Sequence, residues 1–234
     1  MGKKRREAAT KFDPSALHSP GEALDLVKSL ATAKFDETVE AVFHLGIDAR
    51  QAEQGVRGTV SLPHGTGKTV RVLAFAEGED AKAAQEAGAD IVGGAELAEA
   101  IESGSQPLDW DVTIAHPSLM AEVGKLGKSL GPRGLMPNPK AGTVTPDIGK
   151  AVTEFRGGRL EYRNDRYGNV HVGIGKVSFS AEQLKENLTV LVGEINRAKP
   201  ASSKGRYVKK MVLSSTMGIG VRVDPGSLDD LLDV

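Results

Sequence analysis

Two kinds of apolar pattern divide this chain, and they cannot belong to one kind of sheet. In "ETVEAVFHLGI" the residues Val39, Ala41, Phe43, Leu45 and Ile47 fall on every second position, the period of a strand with one face in a core and the other in water. "VRGTVSL" repeats that period at Val56, Gly58, Val60 and Leu62. "TVRVLAFA" breaks it, placing apolar residues on both faces as in a parallel sheet covered by helices. Ala/Glu-rich helical stretches at Asp80–Ala87 and Ala95–Glu102 follow, with the short apolar "DIVGG" between them, then the strand "WDVTIAH" and a helical stretch at Pro117–Leu130. Such strand–helix alternation is the sequence form of an α/β unit. Beyond Gly158 the half-exposed pattern returns: "RLEYRND" and "NVHVGIG" read as a hairpin about Arg166-Tyr167-Gly168, and "RYVKKMVLSST" and "IGVRV" as closing strands. The simplest architecture is an α/β domain inserted into an α+β domain built from both ends, in parts 1–67, 68–157 and 158–234.

Local signals fix the helices. Ser19 caps a helix with Pro20 at its first position and Glu22 completing a capping box, and Ala23, Leu24, Val27, Leu30 and Ala31 share one face. Ser180 and Gln183 do the same for Ser180–Lys199, and Asp147–Phe155 is helical. "GPRGLMPNPKAGTVTP", with three Gly and four Pro in sixteen residues, must be irregular. Gly65–Gly67 and Gly157-Gly158 are the two Gly-rich crossings at which such a pair of domains would hinge.

The 234 residues suffice for one large or two smaller domains, at about 100–200 residues each. The start "MGKKRREAATKFD" lacks the apolar core of a signal peptide and no run nears a membrane span, so the expectation is a cytoplasmic protein without a membrane partner. Without cysteine there is no thiol nucleophile or disulfide. The net charge of −1 conceals a division: residues 68–124 hold 3 Lys/Arg against 11 Asp/Glu, whereas residues 158–223 hold 12 against 5. A polyanion can dock where the local potential is positive, so neutrality overall excludes no nucleic acid. The acidic stretch leaves open a module for a basic protein partner.

"SLPHGTGKTV" tests for a nucleotide enzyme. A phosphate loop needs its first Gly five residues before the Gly of Gly-Lys-Thr, so that backbone N–H groups wrap the phosphates. That position is Leu62, Pro63 removes a further donor, and a strand rather than a helix follows. No His-Glu-x-x-His pair or Gly-x-Ser-x-Gly elbow is present, and His18, His44, His64, His116 and His171 stand apart in sequence. Neither catalysis nor a cofactor is indicated.

Polar clusters at strand ends remain. "AKFDETVE" carries Lys34, Phe35, Asp36, Glu37, Thr38 and Glu40, and "LSSTMG" carries Ser214, Ser215, Thr216, Met217 and Gly218 after a strand with Arg206, Lys209 and Lys210. "YRNDRYGNVH" adds Asp165, Arg166 and His171, with Lys176 beyond. Folded RNA is recognised through phosphates, 2′-hydroxyls and shape. Small hydroxyl residues beside Gly allow close approach, Phe35 or Met217 can pack on a ribose or base, and Lys and Arg supply salt-sensitive attraction. Composition alone favours Phe35 as core and "SSTMG" as an ordinary turn, since such stretches are common in turns.

A resemblance separates these readings. "KSLGPRGLMPNPKAGTVTPDI" is similar to the signature of the bacterial large-subunit ribosomal protein family of the mobile stalk, the family numbered first in that subunit. "LATAKFDETVE", "LGIDAR", "VRGTVSLPHGTGK", "AGADIVGG", "YRNDRYGNVHVGIGKVSF" and "STMG" resemble the same family, in its order. The resemblance implies a discontinuous split α+β domain from both termini with an inserted Rossmann-like α/β domain. It implies a non-enzymatic protein, monomeric when free, that grips large-subunit ribosomal RNA at the base of a mobile arm, helps exit-site tRNA leave, and represses its own operon by binding the mRNA. The implied RNA contacts are Lys34, Phe35, Thr38 and Glu40 with Ser214, Thr216, Met217 and Gly218, then Asp165, Arg166, His171 and Lys176. Arg133 and Lys140, in the basic signature loop, are implied as a secondary RNA contact.

Overall fold

The computed structural model describes residues 8–10 and 12–232. The basic start up to Glu7, Lys11, and the Asp233-Val234 end of the acidic tail lie outside the described residues. In chain order the elements are α1 (Pro20–Leu30), β1 (Thr38–Leu45), β2 (Arg57–Ser61), β3 (Val72–Phe75), α2 (Gly78–Glu86), β4 (Ile91–Gly93), α3 (Ala95–Glu102), β5 (Val112–Ala115), α4 (Met120–Lys125) and α5 (Gly127–Leu130), then α6 (Ile148–Arg156), β6 (Arg159–Arg163), β7 (Asn169–Lys176), α7 (Ala181–Arg197), β8 (Val208–Ser215) and β9 (Val221–Val223). They divide into two compact units, Met1–Gly67 with Glu161–Val234, and Lys68–Leu160. Among the described residues no helix is long and apolar enough to cross a membrane.

The first unit is a four-stranded antiparallel sheet in the order β7-β1-β8-β9 with α1 and α7 against one face. Alternation along β1 decides which face: Val39, Ala41, Phe43 and Leu45 are buried, while Glu40 is exposed and Val42 and His44 half-buried. Ile47 lies beyond the strand and is only half-buried. Burying a Phe or Leu side chain contributes about 1.5–3 kcal/mol, so one alternating strand commits the sheet to this orientation and a one-residue slip would lose it. Both expected capping boxes form: Ser19 Oγ accepts from Glu22 N and Ser180 Oγ from Gln183 N, with the Glu22 and Gln183 side chains returning to the cap N–H groups. Asn187 on α7, fully buried, accepts from His64 N (3.1 Å) and donates to Gly65 O (2.9 Å) and Ile174 O (2.7 Å), tying the chain beyond β2 to the helix and to β7.

The expected hairpin between residues 159 and 176 is corrected. β6 pairs with β2 in a separate two-stranded sheet, while β7 pairs with β1, and one bridge, Asn164 with Val170, links the two segments. The cause is a reciprocal pairing across the chain: Asn164 N donates to Val56 O at 2.9 Å and Asn164 Oδ1 accepts from Val56 N at 2.7 Å. Asp165 then accepts from Tyr167 N and Asn169 N, both at 2.8 Å, and turns the chain towards β1.

The second unit has a parallel sheet in the order β4-β3-β5. Val72, Leu73, Ala74 and Phe75 are all fully buried, which explains the unbroken apolar run. Leu73 and Phe75 meet Ile101, Val123 and Leu130 on one side, and Val72 and Ala74 meet Ile148, Val152 and Phe155 on the other. The Gly/Pro segment from Gly131 is irregular except for a short 3₁₀ turn at Pro139–Ala141, and Val144 bridges Ala115 at the end of β5.

Candidate nucleic-acid interface

Two loops meet at one end of the four-stranded sheet. The first joins α1 to β1 and carries Lys34 and Phe35; the second follows β8 and carries Thr216, Met217 and Gly218. Register brings them together, since Val39 pairs with Ser215 and Glu40 with Ser214. Thr216 Oγ1 accepts from Thr38 N (2.9 Å), and Lys176 Nζ donates to Thr38 Oγ1 (2.9 Å) from the far side of β1. Glu37 lies beneath, with Oε1 accepting from Thr32 N (3.0 Å) and Ala33 N (2.8 Å) and Oε2 from Met217 N (2.9 Å). Burial pushes the Glu37 carboxyl up, but the N–H groups of Met217 and Ala33, the Ser215 hydroxyl and the N–H of Thr32 together outweigh it and hold the acid below the usual glutamate range. Gly218 is required by close approach: a Cβ there would run into Ser215 Oγ.

This frame leaves Phe35 57% and Met217 63% exposed. Two large apolar side chains held mostly in solvent on hydrogen-bonded loops mark a candidate contact surface. Beside them the uncovered sheet face runs inward. Glu40 lies opposite Gly173 on β7 and Ser214 on β8; the next row holds His171, Val42, Val212 and Arg222; the third holds Asn169, His44 and Lys210. His44 Nδ1 and Asn169 Oδ1 lie 2.8 Å apart. The face thus joins the exposed Glu40 to the cations Lys210 and Arg222.

The expected contacts therefore fall into two places. Lys34, Phe35, Thr38, Glu40, Lys176, Ser214, Thr216, Met217 and Gly218 gather at one end of the sheet. Asp165 and Arg166 sit in the turn before β7, at its other end, and His171 occupies the second row between them. Asp165 is engaged with the turn N–H groups and with Asn169 Nδ2 (3.0 Å), and His171 Nε2 stands 4.0 Å from its Oδ2. Desolvation opposes the Asp165 charge, but those bonds overcome it and hold its carboxyl below the usual range. Arg166 lies over the Tyr167 ring at 4.8 Å. A groove of about 450 Å³ lined by Glu161, Tyr162, Arg163, Asn164, Asp165 and His171 runs alongside.

Sequence reasoning placed Glu37 in the cluster but not among the RNA contacts, and it did not distinguish Lys209 from Lys210. The register slips between His44 and Leu45, so Lys209 is the extra residue of a bulge, its Cε alongside Gly46, and Lys210 takes the open-face position opposite His44. Met211 and Leu213 are buried against the helices, which puts Lys210 on the other face.

In the second unit the phosphate-loop resemblance fails as expected from spacing. No helix opens after Gly67; the chain runs into β3, and Lys68 Nζ pairs with Asp111 Oδ1 at 2.5 Å. At the carboxyl ends of the strands, where α/β folds hold phosphates, the N–H groups at the start of α3 already meet carboxylates: Gly94 N donates to Glu96 and Ala95 N to Glu77. His116, Ser118 and Asp80 superficially resemble a nucleophile set, with Nδ1 2.6 Å from Ser118 Oγ and Nε2 3.8 Å from Asp80. The imidazole is a cap, accepting Ser118 N through the same Nδ1. Arg133, exposed, donates to Leu108 O, and Lys140 is exposed on the 3₁₀ turn. Among the described residues no three His, Cys, Asp or Glu converge as metal ligands.

Residues 27–219 match the Ribosomal protein L1p/L10e family. The chain belongs to that family. It is 56% identical over 220 residues to a large ribosomal subunit protein uL1 of Nocardioides sp., covering 94% of this chain and 91% of the relative. It is 56% identical over 225 residues to the protein of that name from Cutibacterium acnes, covering 96% of each. With that of Mycobacteroides abscessus it shares 54% over 228 residues, covering 97% of this chain and 96% of the other. The family is one of structural ribosomal proteins, not enzymes, and the resemblance drawn from the Gly/Pro signature is correct. Both loops of the strand-end cluster lie within the matched span, and the acidic end beyond Asp224 does not.

Proposed function

We propose that this protein is a structural constituent of the large ribosomal subunit, working in the cytoplasm, that binds the stalk region of large-subunit ribosomal RNA through the strand-end cluster and the adjoining sheet face. The observation that carries the reading is the convergence of exposed Phe35 and Met217 with the hydroxyls of Thr38 and Thr216, on a chain of this ribosomal family. Phe35 and Met217 pack against a ribose or base, with aromatic stacking of about 1–3 kcal/mol per base. Glu40 and Ser214 supply an acceptor and a hydroxyl for sugar or base edges. Lys34, Lys176, Lys210 and Arg222 supply the phosphate attraction, and His171 continues the contact across the sheet. Asp165 acts chiefly by shaping the turn that presents Arg166. In the same reading Arg133 and Lys140 make a secondary contact, the arm assists release of exit-site tRNA, and a similar fold in its own operon's mRNA is bound to repress translation. The free protein is a monomer without cofactor.

Titration against stalk RNA and an unrelated duplex at two salt concentrations tests this. The expected outcome is a clear preference for stalk RNA and an affinity falling steeply with salt. Equal binding to both RNAs would remove the assignment.

A further inference from the structure

A site for a polyanion has a carboxylate at its foundation. Glu37 is 2% exposed and is the most deeply buried charged side chain among the described residues. Burying a charge costs several kcal/mol unless it is compensated, so its bonds must repay that cost, and they come from two loops far apart in sequence. Oε1 takes Thr32 N and Ala33 N, just ahead of Lys34 and Phe35; Oε2 takes Met217 N, 180 residues away. The second tie between the loops, Thr38 N to Thr216 Oγ1, is exposed to water. Nearby Asp36 faces elsewhere, its Oδ1 and Oδ2 accepting from Ser178 N and Ser178 Oγ.

We infer that Glu37 is a positioning residue for RNA binding, an anionic clasp that sets the Phe35 loop and the Met217 turn at one spacing without touching RNA. The inference rests on the RNA reading above. The chemistry requires an acceptor at both ends of the side chain, because donors converge on both oxygens. A glutamine satisfies Thr32 and Ala33 with its one oxygen and then opposes Met217 N–H with an NH₂ group, donor against donor. The carboxyl is held ionised below the ordinary range, so the clasp is constant at neutral pH and is not a switch.

The test compares wild type, Glu37→Gln and Glu37→Asp in the full chain by stalk-RNA titration at several salt concentrations and by amide hydrogen exchange. Glu37→Gln should weaken binding about tenfold or more, leave the slope of affinity against salt unchanged because no phosphate contact is lost, and speed exchange at the Met217 amide. Glu37→Asp, which keeps the charge but loses a methylene of reach, should recover part of the affinity; it also serves if the Gln variant does not fold. Wild-type affinity in a folded Glu37→Gln, or a loss accompanied by a changed salt slope, would overturn the clasp. Failure of wild type itself to prefer stalk RNA would instead overturn the function on which the clasp rests.

Discussion

Replacing Asn187 by Leu separates hydrogen bonding from packing in the first unit. The two side chains are close in size, so no large cavity is created, but three backbone groups lose their partner. Ile174 O bonds to Asn187 in a fully buried setting, while His64 N and Gly65 O lie where the contact is only part-buried. A buried acceptor left unpaired costs about 1–3 kcal/mol, and a group that water can still reach costs about 0.5–1. The sum is roughly 2–5 kcal/mol, a large share of the stability of an ordinary domain, about 5–15 kcal/mol. Asn187→Asp should be at least as harmful, because a carboxylate would face the carbonyl oxygens of Gly65 and Ile174. Urea unfolding followed by circular dichroism gives the loss as a shift in midpoint at constant slope. A loss under about 1 kcal/mol for Asn187→Leu would mean that these carbonyls find water, and the tie between α7 and the chain beyond β2 would not be structural.

Thr216→Val should weaken RNA binding about tenfold, but part of the loss is internal, since Thr38 N also loses its acceptor; Thr216→Ser keeps that acceptor and should bind nearly as wild type in the same titration. Lys210→Ala should lower the slope of log affinity against log salt by about 1, whereas Lys209→Ala, on the bulge, should change it less. Burial pushes the Tyr207 hydroxyl up to about 12, so the folded state favours its neutral form. That contribution is fully present below the ordinary tyrosine value near 10 and is lost as pH rises through about 12. Among the described residues Tyr207 Oη has no hydrogen-bond partner, so Tyr207→Phe should leave stability at neutral pH within about 0.5 kcal/mol and flatten the alkaline decline seen in thermal melts.

Much of this molecule is legible in its sequence where the physics is local. The period of two at Val39–Leu45 names the buried face of β1, and the unbroken run at Val72–Phe75 announces a strand covered on both sides. Ser19 with Glu22, and Ser180 with Gln183, announce helix starts. Non-local pairing is what escapes. "RLEYRND" and "NVHVGIG" look like hairpin partners because nothing within them reveals that Asn164 is claimed by Val56, 108 residues earlier. The bulge beside Leu45 depends on the match between β1 and β8, so two adjacent lysines could not be told apart until the register was known. Glu37 escapes for the same reason: an acid between a helix and a strand reads as exposed, and its burial follows from a turn 180 residues away. Phe35 and Met217 were legible as candidates, but their exposure decides between core and contact, and exposure is a property of the assembled sheet.

The central claim is the location of the RNA surface, and amide chemical-shift mapping of the isotopically labelled protein during titration with stalk RNA tests it directly. The account predicts the largest perturbations at Lys34, Phe35, Thr38, Thr216, Met217 and Gly218, extending along the open face through Glu40, His171 and Lys210. Perturbations confined to residues 68–160, or to the α1 and α7 side of the sheet, would contradict it.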